Sequence, residues 1–382
     1  MDFELDADQI LLRDSLQRLL AQEYSFAARR RVLATPFGFD AGVWQAFAQQ
    51  GVLSVGLPEE QGGIGGPVEV MVVMEELGRA LVLEPFASTV VLGAGLIAQL
   101  GSAAQRGHWL PQVAAGECRF AFAHHEPDAR HVLAHVNLAV SARGAGRVLN
   151  GRKITVADGA TADRLIVSAR DVAGAVTLFI VDPSAPGVHA VRYRTHDGRS
   201  AADFTFNDVA VSADQELLGA DSALPAIERC VDRTIAALCA EAVGAMEALN
   251  EATLDYLKNR KQFGQAIGRF QALQHRMADM FIAAIQSRSM SLLATGRCTE
   301  PDAARRRHAV SAAKCFIGEA ARFIGQQAVQ LHGGMGMSDE LAVSHYFKRL
   351  TLFNATWGDV DYHLGVVSDS ILSQHATRSA HA

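Results

Sequence analysis

The stretch of the chain best suited to chemistry is a short basic segment at the end of a long helical pattern. It reads Arg260-Lys261-Gln262-Phe263-Gly264. Upstream, from about Pro225 to Asn259, apolar residues recur at the spacing of a helix, and the pattern stops at this segment. An arginine beside a glycine at such a corner can bind a phosphate or a pyrophosphate, because its planar group donates parallel hydrogen bonds. The simpler interpretation is a solvated helix end whose cations complement the helix dipole.

A second glycine motif favours the phosphate interpretation. Further along the chain, the sequence reads Gln330-Leu331-His332-Gly333-Gly334. Together, the R-x-x-F-G and Q-x-x-G-G patterns at this separation resemble the acyl-CoA dehydrogenase family. The resemblance implies FAD as cofactor, an acyl-CoA thioester as substrate and electron-transfer flavoprotein as electron acceptor. The residues that it assigns to the pyrophosphate and adenosine half of FAD are Arg260, Gln262, Phe263, Gly264, Phe270, Gln271, Gln330, Gly333 and Gly334.

The composition argues against several other classes of protein. The chain has 382 residues, a formal net charge of -6 and 49% apolar residues. An acidic balance argues against nucleic-acid binding, and the runs Arg29–Arg31 and Arg305–Arg307 are interpreted as solvated faces. No apolar run is long enough to span a membrane, and the acidic N-terminus does not resemble a signal peptide. The five cysteines form no CxxC pair, which predicts reduced thiols and a cytoplasmic location.

The periodicity of the apolar residues divides the chain into three domains of an α+β protein. Residues 1–117 are predicted to be helical, with Asp6 capping a first helix and Asp40 a second. Between residues 118 and 220 the period drops to two, which predicts a β-barrel or sandwich. Residues 221–382 are predicted to form a four-helix bundle. The resemblance implies the same order of helical domain, β domain and helical bundle.

The resemblance also indicates where a catalytic base is expected. In most of the family, a glutamate in a Y-E-G-T stretch removes the α-proton of the thioester, and an ungapped count places Trp357 there. A minority carries the base on the helix before R-x-x-F-G, where the count reaches Thr234. Neither an indole nor a hydroxyl is suited to accept that proton. Trp357 is expected at a buried helix end near the β domain, in the space of the missing carboxylate.

Two carboxylates are weak candidates for a relocated base. Glu241 shares a helix face with Thr234, but it lies about 10 Å further along the helix. Asp359 is close to Trp357 in sequence, whereas Asp232 is turned away from the face of Thr234. For each of them a solvated or ion-paired carboxylate is the simpler interpretation.

The part of the β domain that would support the flavin ring departs from the family pattern. The motif G-x-K-x-W-I-T-N-G corresponds to Gly151–Gly159, so Thr155 replaces the tryptophan that stacks on the ring and Ala157 the threonine that binds N5. In the loop before it, Glu126 and its proline are kept, and the small residues of the family are not. A cluster of histidines in this loop lacks the spacing of metal ligands, so we predict a solvated loop and no metal site. The cluster consists of His124, His125, His131 and His135.

These differences fall on one side of the expected cofactor. In family dimers the FAD crosses the subunit interface, so the kept motifs would bind a neighbour's cofactor and the changed residues would serve the chain's own. The pattern is typical of a small, base-lacking subunit that pairs with a catalytic paralogue, for example in a heterotetramer of fatty acid or dicarboxylate β-oxidation. Two alternatives stay open: a homo-oligomeric enzyme with a relocated base, and a scaffold subunit that binds no flavin.

Overall fold

The computed structural model describes residues 4–143, 146–217 and 222–380 of the chain. The helices are α1 (Ala7–Glu23), α2 (Phe26–Ala34), α3 (Ala41–Gln49), α4 (Pro67–Arg79), α5 (Gly95–Leu100), α6 (Ala103–Ala114), α7 (Leu224–Asn259), α8 (Gln271–Arg297), α9 (Ala303–His332), α10 (Ala342–Ala355) and α11 (Val360–Ala380). The strands are β1 (Phe120–Ala123), β2 (Ala139–Arg143), β3 (Gly146–Ala157), β4 (Arg164–Arg170), β5 (Val176–Val181), β6 (Val188–Arg194), β7 (Ser200–Val211), β8 (Glu216–Leu217), β9 (Lys261–Gln262) and β10 (Gln265–Ala266). The predicted order of helical, β and helical regions is confirmed.

The chain divides into two compact units. The helical unit consists of Met1–Phe26, Met71–Val82 and Ile235–Ala382, and the sheet unit consists of Ala27–Val70 and Leu83–Thr234. No helix of the described residues is both long and apolar enough to cross a membrane.

The sheet unit is built around one mixed sheet. Its strands follow the order β6-β7-β3-β2-β4-β5-β8, and β1 pairs in parallel with β4. Most neighbouring strands are antiparallel, which explains the alternating apolar pattern of residues 118–220. The apolar face of the sheet buries Leu149, Phe179, Phe204 and Phe206, among other side chains, in one core.

The N-terminal helices differ from the prediction in two places. The sequence pattern missed α2, so the helix capped by Asp40 is the third of the chain and not the second. The interpretation of the arginine runs as solvated faces was wrong for one residue in each run. Arg29 is fully buried and donates to the carbonyl of Asp197 at 3.0 Å, and the buried Arg306 donates to the carbonyl of Glu300 at 2.8 Å. A run of like residues on a helix points in several directions, so one of its members can face inward.

The helices of the C-terminal region number five in the described part of the chain, in place of the predicted four. The last stretch is divided because Trp357 adopts a left-handed backbone conformation, with φ 56°, after the end of α10. Asp359 then accepts a hydrogen bond from the backbone N–H of Tyr362 at 2.8 Å and caps the start of α11. A left-handed residue followed by a capping aspartate ends one helix and starts another.

Within the helical unit, α4 and α7 cross with their backbones in contact. A Cβ atom on Gly78 would lie 2.0 Å from the carbonyl oxygen of Glu241, and one on Gly244 would lie 1.9 Å from that of Glu75. Both glycines are therefore required for this approach. The crossing brings the side chain of Glu75 into a largely buried position, where Arg288 contacts it at 3.1 Å and contacts Glu247 at 2.7 Å.

We expect Glu75 to make the stability of the protein depend on pH. Burial raises the pKa of Glu75 from 4.5 to about 7, against the opposing charge of Arg288. Between these two pH values the folded state binds more protons than the unfolded state, so the free energy of unfolding should fall as pH rises. The loss between pH 4.5 and pH 8 should be on the order of 3 kcal/mol. Denaturant unfolding of Glu75→Gln should show a flatter pH dependence than the parent.

Glu251→Gln is the matched control for this experiment, because Glu251 belongs to the same cluster, through Arg79, with its side chain 59% exposed. This control should leave the pH dependence of unfolding as it is in the parent. An equal pH dependence in Glu75→Gln and the parent would contradict the assignment to Glu75.

Candidate functional site

The basic segment forms a hairpin corner between α7 and α8. β9 and β10 pair antiparallel, and the two residues between them, Phe263 and Gly264, have φ 52° and 76°. Positive φ at both central residues is what a two-residue type I′ hairpin requires. The ends of the corner are fixed by Arg260, whose N–H donates to the carbonyl of Tyr256 at 2.8 Å and whose carbonyl accepts from Ile267 at 2.9 Å.

The side chains of this corner face outward. Arg260, Lys261 and Gln262 are exposed, and Phe263 is 88% exposed with its edge against Phe270 at a ring distance of 6.0 Å. Among the described residues, no carboxylate forms an ion pair with the guanidinium of Arg260. A rigid hairpin that displays an arginine, an amide and an aromatic ring can bind an anionic, aromatic ligand that comes from outside the unit.

The second motif lies beside this corner. α9 ends at His332, and the chain turns at Gly333, whose φ of 60° and ψ of -142° are accessible to glycine. The ring of His332 stacks on that of Tyr256 at 4.3 Å, and the Tyr256 hydroxyl lies 3.4 Å from the His332 carbonyl. Gln330, Gly333 and Gly334 are exposed. The helical unit thus brings together the two motifs that the sequence singled out, and Gln271 starts α8 in the same corner.

A groove of about 500 Å³ lies on another face of the corner. Its lining consists of Leu254, Leu257, Lys258, Ala266, Gly268, Arg269, Gln274, Met277 and Ala278. None of the residues that were predicted to contact FAD belongs to this lining. The groove is therefore separate from the surface that the two motifs form.

The turn that carries Trp357 is held by buried polar groups of the helical unit. His363 is fully buried and lies between the Trp357 carbonyl, 3.0 Å from its Nε2 atom, and the Ser311 hydroxyl, 3.0 Å from its Nδ1 atom. Because a carbonyl only accepts, Nε2 is the donor. Trp357 follows a helix end as predicted, but it is half-buried and not buried.

A buried lysine, Lys314, contacts the end of α10 just before the same turn. Lys314 is buried, donates to the carbonyl of Phe353 near the end of α10, and has its Nζ atom 3.6 Å from the centre of the Phe353 ring. Burial lowers the pKa of Lys314 to about 8. The Phe353 carbonyl also accepts from the N–H of Thr356 at 3.2 Å, so Lys314 adds a cation at the negative end of the helix dipole.

The remaining candidate positions for a base are also engaged in structural contacts. Glu241 and Arg349, whose side chains are 4% and 3% exposed, form an ion pair at 2.6 Å, and Arg349 also donates to the carbonyl of Val82. Asp359 is exposed and caps α11. In the sheet unit, the buried Thr234 donates its hydroxyl to the carbonyl of Cys230 at 2.8 Å. The contacts of Glu241 therefore agree with the simpler interpretation of this residue as an ion-paired carboxylate.

The flavin-ring position of the sheet unit has an unusual backbone. Thr155 is exposed and has φ 49°, at a bulge of β3 where the register with β7 shifts between Lys153 and Val156. Its N–H donates to Asp203 at 2.9 Å, and the Tyr193 hydroxyl donates to the same carboxylate at 2.8 Å. A β-branched residue with positive φ is strained, so the neighbouring contacts must hold it there.

Beneath this bulge, a buried network connects β3 to the loop after β1. Lys153 donates to Glu126 at 2.7 Å and to Ser168 at 2.9 Å, and Glu126 accepts from the N–H groups of Asn137 and Leu138. Burial lowers the pKa of Lys153 to about 8. Burial alone would raise the pKa of Glu126, but Lys153 and the two backbone donors bring it below its ordinary value.

The prediction of a solvated histidine loop was wrong for His124. Its side chain is buried, and its Nδ1 atom lies 2.9 Å from the Ser168 hydroxyl. Burial lowers the pKa of His124 well below its ordinary value. The described residues contain no group of side chains that could hold a metal ion.

Sequence reasoning missed four residues that organise these positions: Tyr256, Asp203, Lys314 and Arg349. For Tyr256 a signal existed, since it lies one helical turn before Arg260 and therefore on the same face of α7. The partners of the other three are distant in sequence, so no local pattern could have identified them.

Comparison with known proteins is consistent over nearly the whole chain. Three family models match: acyl-CoA dehydrogenase N-terminal domain over residues 6–117, middle domain over 121–209 and C-terminal domain over 224–372. Acyl-CoA dehydrogenase IpdE2 of Mycobacterium tuberculosis is 30% identical over 341 residues, which are 89% of each chain.

Two solved structures are similar along their full length. The ChsE4–ChsE5 complex from Mycobacterium tuberculosis has a TM-score of 0.89 and 25% identity, over 97% of this chain and 99% of that chain. The Tcur3481–Tcur3483 steroid ACAD has a TM-score of 0.86 and 29% identity over the same shares.

The geometry of Glu241 predicts a structural effect of its replacement. Glu241→Gln should lower the free energy of unfolding by about 3–5 kcal/mol, because it leaves Arg349 buried without its charge partner. The change should be measured by denaturant unfolding, with the exposed Glu251→Gln as control, which should cost less than about 1 kcal/mol. Arg349→Met in the Glu241→Gln background should cost much less than it does alone. If the parent protein shows turnover and a stable Glu241→Gln variant has lost it, Glu241 would be identified as a base instead.

Proposed function

Because the chain belongs to the acyl-CoA dehydrogenase family, we propose that it is the partner subunit of a heteromeric enzyme whose catalytic base lies on a paralogous chain. The family consists of oxidoreductases with FAD as cofactor. In the family reaction a carboxylate takes the α-proton of an acyl-CoA thioester, and FAD, when bound, accepts the β-hydride. The part of this chain in that reaction is to bind and orient a cofactor held mainly by its partner.

The observation that carries the proposal is a contrast within the helical unit. At the turn where most of the family has its base, this chain has Trp357, and the nearby Asp359 caps a helix. Glu241, the other candidate, is ion-paired with Arg349 at 2.6 Å. By contrast, the corner around Arg260 is exposed, and among the described residues no carboxylate forms an ion pair with its guanidinium. This combination supports the proposal that the chain helps to hold a cofactor and does not itself remove the α-proton.

The residues of the corner suit the pyrophosphate and adenosine half of FAD. Arg260 can donate two hydrogen bonds to a phosphate, and Gln262 adds an amide donor. The exposed backbone of Gly333 and Gly334 allows close approach, since no side chain covers it. The flavin-ring position is less suited, because Thr155 offers no aromatic surface in place of the tryptophan and Ala157 offers no side-chain donor in place of the threonine.

The wider assembly is part of the same proposal. The pattern of kept and changed residues resembles that of the small subunit of pimeloyl-CoA dehydrogenase, and two of the similar solved structures each combine two named components. We therefore favour a heterotetramer with a catalytic paralogue, electron-transfer flavoprotein as acceptor and a role in fatty acid or dicarboxylate β-oxidation. The free cysteines support a cytoplasmic location.

One observation favours a second candidate, a homo-oligomeric enzyme that binds its own FAD. Thr155 keeps a positive φ at the bulge of β3, although a threonine is poorly suited to that conformation. Strain of this kind is common where a backbone serves a ligand. The two candidates differ in the number of flavins per chain.

We expect the purified chain to have little or no acyl-CoA dehydrogenase activity, even with added FAD. A positioned base contributes about 10²- to 10⁴-fold to such a reaction. Co-expression with a catalytic paralogue should restore turnover and give about one flavin for every two chains, measured by absorbance. One flavin per chain with turnover in the purified chain would favour the second candidate, and no flavin in either preparation would favour the scaffold.

If the purified chain binds flavin without turnover, replacement of the residue at the usual base position becomes informative. Trp357→Glu should then be better tolerated than Thr234→Glu, because Trp357 is half-buried and Thr234 is 2% exposed. Activity gained by Trp357→Glu would show that the chain lacks only the base.

Arg260→Ala should weaken the binding of FAD by the co-expressed complex. A charged hydrogen bond contributes about 1.5–3 kcal/mol, so the dissociation constant should rise by about 10- to 100-fold. The measurement is the fluorescence of FAD released during dilution of the complex. Arg305→Ala is the matched control, since this side chain is 77% exposed and makes only a long ion-pair contact within its own helix. Equal FAD retention in both variants would exclude a role of the corner in anion binding.

A further inference from the structure

Two residues join the loops that are proposed to hold FAD. Tyr256 accepts the N–H of Arg260 at its carbonyl and so closes the last turn of α7. Its ring lies on that of His332 at 4.3 Å with the planes 26° apart, and its hydroxyl is 3.4 Å from the His332 carbonyl at the end of α9. One side chain therefore connects the last turn of α7, which precedes the arginine corner, to His332, the residue before Gly333.

The ring of His332 is itself fixed. Its Nδ1 atom lies 2.8 Å from the carbonyl of Ala328, and since a carbonyl only accepts, Nδ1 carries the proton. Burial lowers the pKa of His332 below its ordinary value, so the ring is neutral at neutral pH. A neutral, hydrogen-bonded ring with one orientation is a suitable surface for the Tyr256 ring.

The exposed loops have few other means of keeping their separation. Among the described residues, the two strands of the hairpin pair only with each other, through Gln265 with Gln262 and Ala266 with Lys261. On the other side, Gly333 and Gly334 have no Cβ atom that could contact the hairpin. The separation of the arginine side chain from the glycine backbone thus depends on the half-buried Tyr256 and the buried His332, which lie just behind the loops.

We propose that Tyr256 and His332 are positioning residues, which hold the arginine corner and the glycine loop at the separation needed to bind one pyrophosphate–adenosine group. The proposal rests on the proposed function, because it assigns that group to the FAD of a partner chain. Two contacts to one ligand strengthen each other only when both are placed correctly before binding. Loss of the stack should therefore weaken FAD binding without removing any atom that contacts FAD.

The experiment uses the co-expressed complex and compares Tyr256→Leu, His332→Leu and the variant with both changes. Each single change should raise the dissociation constant for FAD by about tenfold, as expected for the loss of an aromatic pair. The double variant should be no weaker than either single variant, because both remove the same contact. At saturating FAD, kcat and the KM for acyl-CoA should be those of the parent complex. Tyr256→Phe, which keeps the ring, should restore most of the affinity.

A matched control tests whether any aromatic contact of the helical unit has the same effect. Phe26 contacts the ring of His345 edge-on at 5.1 Å, away from both loops in sequence, and Phe26→Leu should leave FAD affinity unchanged. Tyr256 and His332 are changed separately, so one stable single variant is sufficient to test the positioning role. Thermal unfolding shows which of the single variants is stable.

The possible failures are distinguishable. If Arg260→Ala weakens FAD binding and a stable Tyr256→Leu or His332→Leu complex does not, the positioning role is wrong and the proposed function stands. If Arg260→Ala has no effect either, the proposed function fails with it. Losses from Tyr256→Leu and Arg260→Ala that simply add would also overturn the positioning role, since a residue that acts through the placement of Arg260 must show coupling to it.

Discussion

A charge removed from water must be met by a partner, and in this chain such partners join different helices, strands and loops. Arg349 reaches Glu241 and the carbonyl of Val82, and Lys314 reaches the carbonyl of Phe353 at the end of α10. In the sheet unit, Lys153 joins β3 to Glu126. Because a displaced element would leave a buried charge in apolar surroundings, these pairs fix how the elements pack against one another. Lys314 holds the end of α10 just before the turn of Trp357 in this way, and Lys153 lies beside the bulge of β3.

The sequence predicted well those features that depend on neighbours in the chain. The corner at Arg260 was recognisable because a helical pattern stops at a basic, glycine-containing segment, and Asp6 and Asp40 do cap helices. The predictions were wrong where the contact that determines the burial of a side chain is made with a residue distant in sequence. Arg29 was expected in water, but it lies against the carbonyl of Asp197, and His124 lies against Ser168. The local pattern contains no information about either contact.

The same distinction explains how much of the candidate site was predictable. The residues that display functional groups to the outside, such as Arg260 and Gly334, belong to short motifs that can be read from the sequence. The residues that hold the backbone at the candidate positions are harder to recognise: Tyr256 is marked only by its spacing from Arg260, and Asp203, which holds Thr155, by no local pattern. Their roles follow from a ring contact and a shared carboxylate that only the folded chain creates. A motif therefore indicates the chemistry of a site, whereas the fold determines its precision.

The buried pair of Glu241 and Arg349 also limits how this lineage can change. A mutation that freed the carboxylate by replacing Arg349 would leave a buried charge, at a cost of about 3–5 kcal/mol. That is a large fraction of the 5–15 kcal/mol by which folded proteins are typically stable. Selection would remove the protein with this single substitution before a second substitution could give the Glu241 carboxylate another role. Whether Arg349 or Glu241 changes first, the protein with a single substitution is disfavoured, so descendants of this chain should keep both residues. A dependence on another gene product, once acquired, would then be difficult to reverse.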